Sequence, residues 1–163
     1  MLKKYYQNDR VTCAACAYGT CLSGMGIYLT EAQCCDEVKT DKRGTFDSAI
    51  LAALHKRKIE ANLVHINQSF EEYGRWLYLN SINRFIYVSM AGQNKGKRGR
   101  PTMERHAVCV SNGMVYDSAM KEILPLDAYG IKYNHRFLIE LIILIDNPKP
   151  EKFLAKGLDT WNY

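Results

Sequence analysis

No stretch of this sequence is apolar for long enough to cross a bilayer. The longest run, Phe137 to Ile145, is interrupted by Glu140 and predicts a buried strand. Residues 1–9 contain no apolar core of a signal peptide, so a cytoplasmic protein is expected. Repeats, low-complexity linkers and breaks in composition are also lacking, which predicts a single domain over residues 1–163. At 163 residues such a domain can bury a substantial core. A disulfide framework is missing as well. The six cysteines stand at 13, 16, 21, 34, 35 and 109; three share one predicted helix and two are adjacent. Without an export signal they are expected to be reduced, and most of them to be small buried apolar residues. The net charge of +5 gathers in the run Lys95-Gly96-Lys97-Arg98-Gly99-Arg100. No aromatic platform or groove-reading helix accompanies that run. It reads as a solvated loop between strands, and nucleic acid is not an expected partner.

What is present is a succession of helices followed by strands. Thr12 is placed to cap a helix from Cys13 to about Met25, ended by Gly24 and Gly26, whose small and apolar residues recur all round it as in a buried central helix. Thr30 and Gln33 form a capping-box pattern for a short second helix. Thr45 is expected to cap a third, Phe46 to about Lys56, with Phe46, Ala49, Ile50, Ala53 and Leu54 on one face. Ala61 to Ile66 alternates as a strand, and Ser69 caps a helix reaching Leu79. Strands are then predicted over Arg84–Met90, Arg105–Ser111, Met114–Ser118 and Phe137–Ile145. Asn112-Gly113 is a two-residue hairpin turn that pairs the second and third of these antiparallel. Helices first and a mostly antiparallel sheet second define an α+β order.

Four residues in this arrangement carry chemistry. Cys13 opens the first helix, where the helix dipole and a nearby imidazolium favour a thiolate. Gln7, six residues earlier, offers a side-chain amide to an oxyanion. His106 lies on a strand and Asp117 on the next. Across the Asn112-Gly113 turn, Ser111 faces Met114 and His106 faces a position near Ala119, so Asp117 falls within about two residues of it. A histidine so placed can take the thiol proton and later return it to a leaving group.

The order Gln, Cys, His, Asp resembles that of papain-like cysteine peptidases. Within them it is most similar to the double-glycine leader peptidases and their stand-alone cytosolic relatives. The resemblance spans residues 7 to 145. It includes Gln7, Cys13-Ala14-Ala15-Cys16-Ala17, Gly26-Ile27, Thr30-Glu31-Ala32, Gly44-Thr45-Phe46, His106-Ala107-Val108 and Val115-Tyr116-Asp117. The chain departs from the pattern at Thr12 and Ala14, which flank the cysteine, and in a short His-to-Asp interval. The resemblance implies a papain-like fold with N-terminal helices on a mostly antiparallel sheet. It also implies Cys13 as nucleophile, His106 as general base and acid, Asp117 as its orienting partner, and Gln7 with the Cys13 N–H as the oxyanion hole. A protein or peptide substrate follows, cleaved at a peptide or isopeptide bond without metal or organic cofactor. No transporter segments follow the domain in this sequence, so a stand-alone peptidase rather than one carried by an exporter is expected.

Other readings use the same residues. The triad also suits a deamidase or transamidase, which differ only in what meets the thioester. A non-catalytic binding or inhibitory protein could keep the fold, although such a site would be expected to have lost one of its four groups. Cys13-x-x-Cys16 is a zinc or redox spacing. The chain before Cys13 is too short for the strand that a redox pair needs, and adjacent Cys34 and Cys35 chelate one metal poorly. Cys16 should lie about one turn deeper than Cys13 and pack in the core, as should Cys21 and Cys109. His55, His65 and His135 read as solvated or structural.

Overall fold

A computed structural model describes residues 2–95, 101–133 and 137–146. Its elements run α1 (Cys13–Gly24), α2 (Glu31–Glu37), α3 (Asp47–Lys56), β1 (Ala61–Ser69), α4 (Phe70–Asn80), β2 (Phe85–Lys95), β3 (Pro101–Ser111), β4 (Met114–Tyr116), β5 (Leu124–Pro125), α5 (Leu126–Lys132) and β6 (Phe137–Ile145). The strands form one antiparallel sheet in the order β1-β6-β2-β3-β4-β5. The predicted α+β order is the observed one. No helix of the described residues is long and apolar enough to cross a membrane.

β6 explains its own composition. It is paired along both edges, by β1 and β2, and contributes to a core on each face of the sheet, so its residues need not alternate with polar ones. Leu141, Ile143 and Ile145 join the core under α1, α2 and α3, while Ile139 and Ile142 join the core on the face of α4 and α5. Ile139 and Leu141 would share a face in a regular strand. Here Ser89 pairs with Leu141 and Met90 with Ile139, so Glu140 is an extra residue that reverses the alternation. Its carboxylate is thereby free to approach Arg105, at 3.6 Å.

α1 is buried along almost its whole length, from Cys13 through Ser23. Small residues permit that. A Cβ on Gly19 would stand 2.6 Å from Cys34 Sγ, so glycine sets how closely α2 approaches α1. Gly19→Ala should gain about 1 kcal/mol of helix propensity but lose more to overpacking, a net fall in Tm of roughly 2–4 °C. Adding Cys34→Ala should restore most of the loss; a Tm that rises in Gly19→Ala alone would contradict the close packing.

The capping box at Thr30/Gln33 forms as expected, and Ser69 caps α4 as expected, where Glu72 completes a second box. Two caps do not. The Thr12 hydroxyl donates to the Asp9 carbonyl rather than accepting from the helix. Thr45 hydrogen-bonds Thr40 at 2.7 Å, and Phe46 occupies the N-cap of α3 without a side-chain bond. β2 and β3 run longer than predicted, to Lys95 and from Pro101, and β4 stops at Tyr116. β5 and α5 were not foreseen. The basic run beyond Lys95, and His135, lie outside the described residues.

Candidate active site

The hairpin has the predicted register, Ser111 opposite Met114 and Cys109 opposite Tyr116. Asn112 and Gly113 both have positive φ, 49° and 72°, as a two-residue turn of this kind requires. The ladder then ends, and that ending makes the site. Released from the sheet after Tyr116, the chain turns so that Asp117 Oδ1 accepts the Ala119 N–H at 2.8 Å and lies 2.8 Å from His106 Nε2. Nδ1 is left as the ring nitrogen available to a nucleophile. The side chain of Cys13, the first residue of α1, lies close enough to the ring to raise its pKa. The structure therefore brings Cys13, His106 and Asp117 together from a helix end, a strand and a post-strand turn.

Electrostatics bind the three. Burial alone would lower the His106 pKa, but the Asp117 hydrogen bond and charge, with the Cys13 side chain, outweigh it and raise it to about 10. Asp117 is fully buried, which favours its neutral form. Hydrogen bonds from His106, Tyr129 and the Ala119 N–H, with the His106 charge, overcome that and hold the carboxyl below its usual range. Its second oxygen accepts from the hydroxyls of Tyr129 at 2.7 Å and Tyr133 at 3.3 Å. The carboxylate is thus an acceptor on both oxygens, and its charge is stabilised without solvent.

Neither tyrosine was singled out from the sequence. They sit in and just after α5, and the signal was there: Leu126, Tyr129 and Tyr133 recur at helical spacing after Pro125, with Asp127 in the first turn. Ser118 was missed as well. Its carbonyl accepts the Gln7 N–H at 3.3 Å and its hydroxyl donates to Gln7 Oε1 at 2.8 Å. Gln7 reaches this position from an irregular segment pinned on both sides. Tyr5 N–H donates to Thr20 Oγ1 at 3.3 Å, and the Asn8 N–H donates to Glu31 Oε1 at 3.1 Å.

The other thiols stand apart from this cluster. Cys16 is fully buried, 3.8 Å from Glu31 Oε1, and burial with the Glu31 charge pushes its pKa up to about 12. Burial, with Cys35 beside it, does the same to Cys34. Cys109 meets Cys21 in the core, and burial raises it well above the ordinary thiol range. Among the described residues no group of three or more His, Cys, Asp or Glu is placed to hold a metal ion. Iodoacetamide at mildly acidic pH should accordingly label Cys13 first, by at least about tenfold over any other cysteine. Peptide mapping that found Cys16 or Cys34 modified with Cys13 untouched would overturn the ranking.

A six-stranded antiparallel sheet, with a cysteine-headed helix and a strand histidine meeting at one end, defines the papain-like cysteine peptidase fold. Solved structures that it resembles include peptidases from ABC and AMS/PCAT transporters. One is the peptidase domain of ComA from Streptococcus, a bifunctional ABC transporter of a quorum-sensing pathway. It superposes with a TM-score of 0.52 at 18% identity, over 89% of this chain and 98% of that one. A second is a double-glycine motif protease from an AMS/PCAT transporter in complex with the leader peptide, with a TM-score of 0.55 at 12% identity, over 89% of this chain and 91% of that one. No family model matches the sequence, and no curated protein matches it either.

Proposed function

We propose that this protein is a thiol hydrolase that cleaves a peptide or isopeptide bond through an acyl-enzyme on Cys13. The observation that carries the reading is the chain of contacts from Cys13 to the His106 ring and from His106 Nε2 to Asp117. His106 takes the Cys13 proton, giving a thiolate beside an imidazolium. The sulfur adds to the scissile carbonyl, and the resulting oxyanion is held by the Cys13 N–H and the Gln7 amide. As the C–N bond breaks, His106 gives the proton to the departing amine. Water, deprotonated by His106, then adds to the thioester, and the C–S bond breaks to release the acid and return the proton to the enzyme. Asp117 keeps the imidazole oriented and stabilises its cationic form throughout.

The substrate class to try first follows the structural neighbour that is a double-glycine motif protease in complex with a leader peptide, namely a peptide with a double-glycine motif. The test is a peptide ending in Gly-Gly joined through an amide to a fluorogenic amine. Release of the amine should be accompanied, after acid quench, by a mass gain on the peptide that contains Cys13. If Gly-Gly peptide and isopeptide substrates alike give neither release nor adduct, while native circular dichroism is retained, the reading fails.

A further inference from the structure

We propose that Ser118 is a positioning residue that holds the Gln7 amide where the oxyanion forms. The inference rests on the role given to Gln7 above and adds a residue that the sequence did not single out. Gln7 belongs to no helix or strand, and its side chain turns about three bonds, so nothing local to it selects one orientation. Ser118 acts on both parts of the residue. Its carbonyl fastens the Gln7 main chain, and its hydroxyl, on a residue only 5% exposed, engages Gln7 Oε1. With Oε1 occupied as an acceptor, the Nε2 end is the part of the amide left to donate.

The link also has a consequence for timing. Asp117 and Ser118 are consecutive, and the Asp117–Ala119 turn sets the direction of both side chains. One dipeptide therefore orients the imidazole through Asp117 and the amide through Ser118, so base and oxyanion donor are held in a common frame before substrate arrives. Lys4 reinforces the frame from the amino-terminal side, donating to the Met120 carbonyl and, at 3.0 Å, to the Glu122 carbonyl.

The test compares Ser118→Ala, Ser118→Thr, Gln7→Ala and Gln7→Ala/Ser118→Ala on the Gly-Gly fluorogenic peptide. Alkylation of Cys13 by iodoacetamide, a displacement with no oxyanion, serves as the control. Ser118→Ala should lower kcat about tenfold with KM, the pH profile and the alkylation rate unchanged. Ser118→Thr, which keeps the hydroxyl, should recover kcat to within about twofold of the parent. In the Gln7→Ala background the further loss from Ser118→Ala should be under about twofold, because the amide that it positions is gone. Full kcat in Ser118→Ala with Gln7→Ala impaired would overturn this inference alone. Full kcat in Gln7→Ala would overturn the oxyanion role itself. An equal loss from Ser118→Ala in both backgrounds, or slowed alkylation, would mean that Ser118 acts elsewhere and would also overturn it. If Ser118→Ala loses native circular dichroism, Ser118→Cys takes its place under the same criteria.

Discussion

Cys13→Ala is expected to lower turnover by at least about four orders of magnitude while the protein keeps its circular dichroism spectrum. No other cysteine is placed to substitute for the nucleophile. Cys16 is the nearest other thiol along the chain, and it is fully buried with its proton held to about pH 12. The change itself is mild for the fold, since it removes one sulfur from a residue that is 9% exposed at the head of α1. Asp117→Asn should behave differently. Removing the negative charge loses the orientation of the imidazole, a loss of about 10²- to 10⁴-fold in rate, but the thiol and the oxyanion donors remain. It should also destabilise the fold by about 1–3 kcal/mol, because the amide NH2 cannot accept from the donors that now converge on the carboxylate. Kinetics on the Gly-Gly peptide with thermal melts of both variants check this. A Cys13→Ala protein that still cleaves would assign the chemistry to another residue.

The second large effect is on the pH dependence of stability. His106 has its pKa raised by folding, from an ordinary 6.5 to about 10. The folded state therefore binds this proton more tightly than the unfolded chain. The stabilisation is complete below about pH 6.5 and is lost as pH climbs through about 10, with a magnitude on the order of a few kcal/mol. Asp117 works in the opposite sense. Its lowered pKa contributes stability above its unfolded value, and that part is lost as pH falls into the acid range. Tm should consequently be highest between about pH 4 and 6.5 and decline from there to about 10. In His106→Gln the alkaline decline should shrink. In Cys13→Ala it should end at a lower pH, since the sulfur is one of the partners that hold the proton on the ring. An alkaline decline of the same size in His106→Gln would show that other groups cause it.

Parts of this molecule were legible residue by residue. Thr30 with Gln33, and Ser69 at the head of α4, mark helix starts because the bonds involved reach only three residues along the chain. Asn112-Gly113 marks the hairpin because few residues tolerate two successive positive φ angles. Thr12 and Thr45 have the same side-chain type as true caps, yet their hydroxyls found Asp9 and Thr40 instead. That choice depends on how the preceding loop folds back. α5 was missed because it is short and lies between a two-residue strand and a turn, where a seven-residue helix has no stability of its own.

The sequence by itself determined the α+β order, the antiparallel pairing of β3 with β4, and the candidates Gln7, Cys13, His106 and Asp117. Each rests on local signals: periodicity, caps, a turn, and side-chain chemistry at recognisable spacing. Only the tertiary structure decided how those candidates meet. The ladder ends one residue before Asp117, so the carboxylate turns to His106 instead of continuing along a strand. Tyr129 and Tyr133 arrive from a helix packed on the far face of the sheet, and Ser118 binds a glutamine more than a hundred positions away. Such contacts are made by groups that share no local pattern. They exist because burial leaves every polar atom near Asp117 to find its partner within the protein, and the closed fold determines which partners are in reach.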